Sequence, residues 1–266
     1  MSRDRMPRRA LPPAVGRTLL LLAVLLLIGA NTLGLSLVGV PVGAVASART
    51  TLGTTAVAPA DGSAARVGAL FTGGVGPGRH FCSASVLQSP TRDLVVTAAH
   101  CVGTTDGLLF VPGYRDGAAP YGSWKVTRIF TTAGWSAARD PDEDFAVLRI
   151  APNGGHRIED VVGGNALGLD DTLTRTVRLY GYPSRSEAPL LCTNAVTAYS
   201  ATQRRIECPG YPGGTSGGPW VSTRTGEVIG VIGGHQEGGD TPDVSYTAYF
   251  GAALAGLYRQ AVTGTA

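Results

Sequence analysis

Apolar residues come in short runs along most of this chain, and glycine, proline, asparagine and aspartate break the runs at close intervals. Short runs rich in valine, leucine, isoleucine and aromatic residues, bounded by turn formers, predict β-strands. In the first half they fall at Val67–Phe71, His80–Leu87, Arg92–Ala99, Gly107–Pro112, Trp124–Thr131 and Phe145–Ile150. In the second half they fall at Thr176–Gly181, Ala195–Thr202, Arg205–Cys208, Trp220–Thr223, Val228–Gly233 and Ser245–Phe250. The run His80–Leu87 carries small residues on one face. Only Gly251–Val262 has apolar residues at helical spacing: Leu254, Leu257, Tyr258 and Val262. The pattern excludes alternating βαβ units and predicts an all-β sandwich or barrel with a short C-terminal helix. No internal repeat is visible. The segment Asn153–Asp171, with five glycines, reads as a join between two β-barrels.

The start of the chain follows a different pattern. Met1–Arg17 carries five arginines against one acid, Asp4, and Thr18–Ala30 is a leucine-rich stretch of thirteen residues without charge. Small residues follow, including Ala44-Val45-Ala46 and Ala46-Ser47-Ala48. A basic start, an apolar run and an A-x-A site predict a secretory signal peptide over residues 1–48. The alternative is an uncleaved membrane anchor, because the uncharged stretch is long enough to span a bilayer. Asn31 and Pro41 interrupt it and favour cleavage. Membrane contact is then expected only during export, or if the leader stays in place. Residues 49–65, rich in Ala, Thr, Gly and Ser, read as a flexible mature N-terminus or a short pro-segment. Residues 66–262 form the remaining domain.

Charge changes the picture once the leader is set aside. The chain holds 22 Lys and Arg against 19 Asp and Glu, and the leader accounts for five of the former and one of the latter. The remainder is close to neutral, so no basic surface is left to argue for nucleic acid. All four cysteines follow the leader. An even number in an exported chain predicts two disulfides, and sequence alone allows three pairings.

The stretch Gly213-Gly214-Thr215-Ser216-Gly217-Gly218-Pro219-Trp220 sets one serine among four glycines. It reads either as a hairpin turn or as a backbone that turns tightly to present a hydroxyl beside its own N–H groups. Two further stretches favour the second reading. Thr97-Ala98-Ala99-His100-Cys101 follows the apolar run Leu94-Val95-Val96, and Asp144 opens the apolar run Phe145–Ile150. A serine needs a base to become a nucleophile, and the base needs a buried carboxylate to orient it. Asp140, Asp142 and Glu143 are competitors, but Asp144 alone touches the apolar strand. The other histidines, His80, His156 and His235, lack the setting of His100. Gly214-Thr215-Ser216-Gly217-Gly218 also satisfies the G-x-S-x-G elbow of α/β-hydrolases. That elbow requires a following helix and a later acid and histidine, in an order this chain does not have.

The order His, Asp, Ser with these flanks resembles the chymotrypsin-like (trypsin-like) serine peptidases from about Val67 to Tyr258. The resemblance implies two six-stranded antiparallel β-barrels, about 66–160 and 170–250, with the active site in the cleft between them. It implies Ser216 as nucleophile, His100 as general base, Asp144 as its orienting acid, and the N–H groups of Gly214 and Ser216 as the oxyanion hole. It implies disulfides Cys82–Cys101 and Cys192–Cys208, protein or peptide substrates, and no metal or cofactor. The expectation is a secreted monomeric endopeptidase, and the alternative is a non-catalytic homologue that binds proteins through the same cleft. Thr215 departs from the digestive enzymes, which have an aspartate before the serine. The chain is more similar to the bacterial branch containing glutamyl endopeptidases, through Val67-Gly68-Ala69-Leu70-Phe71 and Val228-Ile229-Gly230-Val231-Ile232-Gly233-Gly234. Gly210, Gly233, Gly234 and His235 are the expected pocket residues. Gly210 stands where trypsin-type enzymes carry an aspartate, and Ile232 where glutamyl enzymes carry a histidine.

Overall fold

The computed structural model describes residues 51–172 and 174–264. The expected signal peptide, 1–48, lies outside the described residues.

Strand β1 (Thr54–Val57) and the short helix α1 (Gly62–Ala65) lead into a closed barrel of six strands. These are β2 (Val67–Thr72), β3 (His80–Leu87), β4 (Leu94–Thr97), β5 (Leu108–Pro112), β6 (Trp124–Phe130) and β7 (Ala146–Ile150), in the spatial order β2-β3-β4-β7-β6-β5. Helix α2 (Ala133–Ala138) sits between β6 and β7, and α3 (Ile158–Val162) follows β7. The second barrel is built from β8 (Thr176–Gly181), β9 (Leu190–Ala198), β10 (Gln203–Glu207), β11 (Pro219–Ser222), β12 (Val228–Val231) and β13 (Val244–Ala248), in the order β12-β11-β8-β9-β10-β13. Its ends meet where Gly233 N–H donates to the Tyr246 carbonyl (3.0 Å) and Val231 N–H to Thr247 Oγ1 (3.0 Å). Helix α4 (Ala252–Thr263) closes the chain. It returns to the first barrel, where Arg149 on β7 donates to the Ala261 carbonyl and Tyr258 donates to the Gln88 carbonyl.

All strand pairs are antiparallel, and alternate residues point inward to three apolar layers. Leu70, Val86, Phe110, Trp124 and Leu148 fill the first barrel. Leu179, Ile206, Trp220 and the Cys192–Cys208 pair fill the second. Phe71, Tyr180, Tyr182, Val231 and Phe250 belong to a third cluster that draws residues from both barrels.

Four differences from the pattern reading have physical causes. The segment 49–65 is not simply flexible: its residues Thr54–Val57 pair with the first half of the β9 edge, Thr54 opposite Thr193 and Val57 opposite Leu190. Nothing in a run of Thr, Ala and Val distinguishes a loose tail from an edge strand until a partner edge exists. Strand β9 begins at Leu190, five residues before the run read from the sequence, directly after Pro189. Helix α2 escapes periodicity because it is only six residues long, although Thr132 caps it by accepting from Trp135 N–H. Helix α3, five residues long, sits inside the expected join.

Candidate active site

The apolar run of β4 ends at Thr97, and the small residues that follow let the chain wind into a 3-10 turn, Ala99–Cys101. Cys101 is bonded to Cys82 on β3, which fastens this turn to the barrel wall. His100 is thereby held with its ring mostly buried, its side chain 11% exposed.

Asp144 lies at the entrance to β7 and is 1% exposed. Its Oδ2 lies 2.7 Å from His100 Nδ1 and also accepts from Gly234 N–H at 2.8 Å. Its Oδ1 accepts from the backbone N–H of His100 at 2.9 Å. An ionised carboxylate can only accept, so Nδ1 carries the ring proton and Nε2 is left with a free lone pair. The competing acids are occupied elsewhere. Asp140 caps the turn Pro141–Glu143, Asp142 accepts from Gln203 Nε2 (2.7 Å), and Glu143 accepts from Gly134 N–H (3.1 Å).

Ser216 sits on the loop before β11, half-buried. Gly214 has φ +96°, and a side chain there would strike the backbone N of Ser184. Gly217 has φ +78° and packs so closely on Thr97 and the Ser83 carbonyl that no side chain fits. These are two reasons for glycine, one conformational and one of close approach. Thr215 is buried, and its hydroxyl donates to the Pro212 carbonyl at 2.8 Å. The N–H groups of Thr215, Gly217 and Gly218 are used, on Pro212 (3.3 Å), Ile232 (2.7 Å) and Thr215 (2.9 Å) carbonyls. Among the described residues, no carbonyl or side chain accepts from Gly214 N–H or Ser216 N–H. Two unused donors therefore lie on this loop, one on Ser216 itself and one two residues before it.

The expected pocket residues divide. Gly210, at φ +87°, is exposed with open space around it. Gly233 and Gly234 are buried against Asp144: a Cβ on Gly233 would come within 3.0 Å of the Asp144 carboxylate. They support the acid. The His235 ring stacks between Tyr199 (4.7 Å) and Tyr246 (4.9 Å), and its Nε2 lies 3.1 Å from the Tyr199 hydroxyl. Sequence reasoning missed Gln203, which is buried on β10. Its amide nitrogen donates to Asp142 and its oxygen accepts from His235 N–H (2.7 Å), so it ties the Asp144 loop to the Gly234–His235 segment. Its signal, one glutamine in a strand, is too common to find. Tyr211, buried in the second barrel, donates to the Leu179 carbonyl (2.6 Å), and burial pushes its ionisation upward, so it stays a donor.

Cys192 is bonded to Cys208, the second cross-link. Cys82, His100 and Cys101 bring three potential metal-ligand atoms within 4.8 Å of one another. They do not fit a metal ion, because both sulfurs are joined in the disulfide and offer no thiolate.

Comparison with known proteins agrees with this geometry. A model of the trypsin-like peptidase domain matches residues 78–231. The crystal structure of the protease Anisep from Arthrobacter nicotinovorans is similar over 79% of this chain and 100% of its own, with TM-score 0.67 and 23% identity. A structure of Glu endopeptidase is similar over 79% of this chain and 96% of its own, with TM-score 0.62 and 18% identity. Among curated proteins, the "Extracellular metalloprotease" of Bacillus subtilis (strain 168) is 25% identical over 111 residues, and the match spans 40% of this chain and 29% of that relative's length. With most of its length matched by the family model and the two barrels in place, the chain belongs to the trypsin-like peptidase family.

Proposed function

We propose that this protein is a secreted serine endopeptidase that hydrolyses peptide bonds through an acyl-enzyme. Ser216 Oγ attacks the scissile carbonyl, and His100 Nε2 takes its proton. The carbonyl oxygen becomes an oxyanion and turns to the N–H groups of Gly214 and Ser216. Collapse of the tetrahedral intermediate expels the amine, which His100 protonates, and a water activated by the same imidazole then releases the acid product. Asp144 keeps the imidazole in the tautomer with Nε2 free and stabilises the imidazolium.

The observation that supports this reading most is the buried Asp144 holding both the ring and the backbone of His100. A merely structural histidine needs no such double grip, and the two unused N–H groups beside Ser216 supply the complementary part. Gly210 in place of an acid argues against selection for basic side chains. Secretion is supported by the two disulfides, which suit an oxidising compartment, and by the name of the Bacillus subtilis relative.

A fluorophosphonate probe tests the reading. Wild-type protein should label on Ser216, and Ser216→Ala and His100→Ala should each abolish labelling and cut kcat by several orders of magnitude. The double variant should be hardly worse than either single one, because the groups act as a unit. Additive losses would mean that the two residues do not share a mechanism, and no labelling of folded wild type would instead favour the non-catalytic binding module.

A further inference from the structure

We propose that the side-chain hydroxyl of Ser83, on the opposite barrel, is the positioning group of the oxyanion loop. The inference rests on the peptidase reading and adds a residue that the three-residue constellation does not contain. Ser83 lies on β3, one residue after Cys82, and is fully buried. Each of its polar groups is used. Its backbone N–H donates to the Ser216 carbonyl (2.7 Å), and its own carbonyl accepts from Thr97 Oγ1 (2.8 Å). Its hydroxyl donates to the Gly214 carbonyl (3.0 Å) and accepts from Tyr182 N–H (2.8 Å).

The significance lies in the peptide planes. In a trans peptide the N–H and C=O point in opposite directions, so whatever anchors the carbonyl aims the N–H. The N–H of Gly214 shares its plane with the Gly213 carbonyl, which accepts from Ser184 N–H at 2.9 Å. The N–H of Ser216 shares its plane with the Thr215 carbonyl, which accepts from Gly218 N–H at 2.9 Å. The plane between them ends in the Gly214 carbonyl, and Ser83 Oγ anchors that one. Three consecutive planes are thus held by their carbonyls, the middle one by a side chain.

Ser83 also couples the other anchors. Its hydroxyl receives the N–H of Tyr182, two residues before Ser184, so one oxygen sets the spacing between the Tyr182–Ser184 segment and the oxyanion loop. That segment is pinned further to the first barrel. His80 Nε2 lies 2.8 Å from the Pro183 carbonyl, Glu187 accepts from Gly78 N–H (2.7 Å) and from the Tyr114 hydroxyl, and Asp116 N–H donates to the Glu187 carbonyl (2.7 Å). The anchoring has work to do because Gly214, the hinge between the plane that Ser83 anchors and the plane that carries Gly214 N–H, offers little steric resistance to rotation. With threonine at position 215, no charged side chain among the described residues hydrogen-bonds to Gly213–Gly218. A neutral hydroxyl reaching across from β3 supplies the restraint.

Ser83→Ala removes both bonds of the hydroxyl, to the Gly214 carbonyl and from Tyr182 N–H, and keeps Ser83 N–H on Ser216. Freeing the plane that links the two donor planes lets their N–H groups drift, which predicts a fall in kcat of about 10–100-fold, below the full loss of a donor. KM should be unchanged. Affinity for a peptide boronate, whose tetrahedral adduct places an oxygen in the same position, should fall by the same factor as kcat. On a Ser216→Ala background, the dissociation constant of an uncleaved peptide should be the same with and without the Ser83→Ala substitution. Ser83→Cys, which fills the site but donates weakly, should fall between wild type and Ser83→Ala, and it carries the test with the same readouts if Ser83→Ala does not fold. Wild-type kcat in the variant with only a lower Tm, or a loss that appears in KM and peptide binding instead, overturns the proposal. An inert wild-type protein overturns the peptidase reading, and this one with it; an active wild type beside an unimpaired Ser83→Ala overturns this one alone.

Discussion

The turn that carries His100 and the loop that carries Ser216 face each other's barrels, yet they are immobilised by different means. The histidine turn is fastened covalently at the next residue, through Cys101 to Cys82, and Asp144 grips both its ring and its backbone. The serine loop has no cross-link within it. It is four glycines, a threonine and a serine, held by hydrogen bonds to Pro212, Ile232, Ser184 and Ser83. Under the proposed mechanism the difference follows from what each must present. A general base offers a side chain, so its backbone can be stapled without harm. An oxyanion hole offers backbone N–H groups, which must stay unpaired, so the loop can only be fixed through its carbonyls. That fixing comes in part from the first barrel, which makes assembly of the two barrels a condition for the proposed hole.

The largest effect in this comparison should come from Asp144→Asn. The amide can donate as well as accept, so it no longer enforces Nδ1–H on His100, and kcat should fall by about 10³–10⁴-fold with the fold retained. Steady-state kinetics beside a thermal unfolding curve would check this, and a loss below about tenfold would mean that the grip on His100 is dispensable.

The two disulfides give the next test. They close loops of similar size, with sequence separations of 19 and 16, so each should contribute about 3 kcal/mol of stability on chain-entropy grounds. Their places differ. Replacing Cys82 and Cys101 together by alanine should lower activity as well as stability, because it frees the residue beside His100. Replacing Cys192 and Cys208 should lower stability by a similar amount and leave kcat nearer to wild type, measured at a temperature where both variants are folded. Equal losses of kcat would mean that the staple at the histidine turn has no local role.

Thr215→Val should have the smallest effect. It removes one hydroxyl bond to the Pro212 carbonyl while Thr215 N–H keeps the same partner. The expected cost is about 1 kcal/mol in stability and at most about a tenfold loss in kcat/KM. A collapse of activity would show that Thr215, not the carbonyl anchors, carries the loop.

Much of this was legible before any coordinates. Asp144 stood out from Asp140, Asp142 and Glu143 because it alone adjoined an apolar run, and it is the acid buried against His100. That inference is local: a carboxylate at the mouth of a buried strand is drawn inward with it. The glycines around Ser216 were legible for the same reason, since residue type limits backbone angles directly. Gln203 and Ser83 were not legible. Each is a common polar residue in a strand, and its role exists only because a neighbouring carbonyl or N–H, far away in sequence, arrives within hydrogen-bond reach.

The chain's own pattern therefore determined the two sets of short strands, the single longer helix at its end, and the residue types able to perform acyl transfer. Alternation and turn residues act over a few positions, and the hydroxyl, the imidazole and the carboxylate carry their chemistry with them. Tertiary structure alone decided that Thr54–Val57 becomes an edge strand on β9, that Gly233 and Gly234 seat the acid, and which backbone N–H groups stay unpaired beside Ser216. Those outcomes depend on distances between segments up to about a hundred and forty residues apart in the chain, such as Thr54 and Thr193. No local preference encodes such a distance; it is set when the buried faces of the two barrels pack, because close packing leaves the loops between them only one arrangement that satisfies their backbone hydrogen bonds.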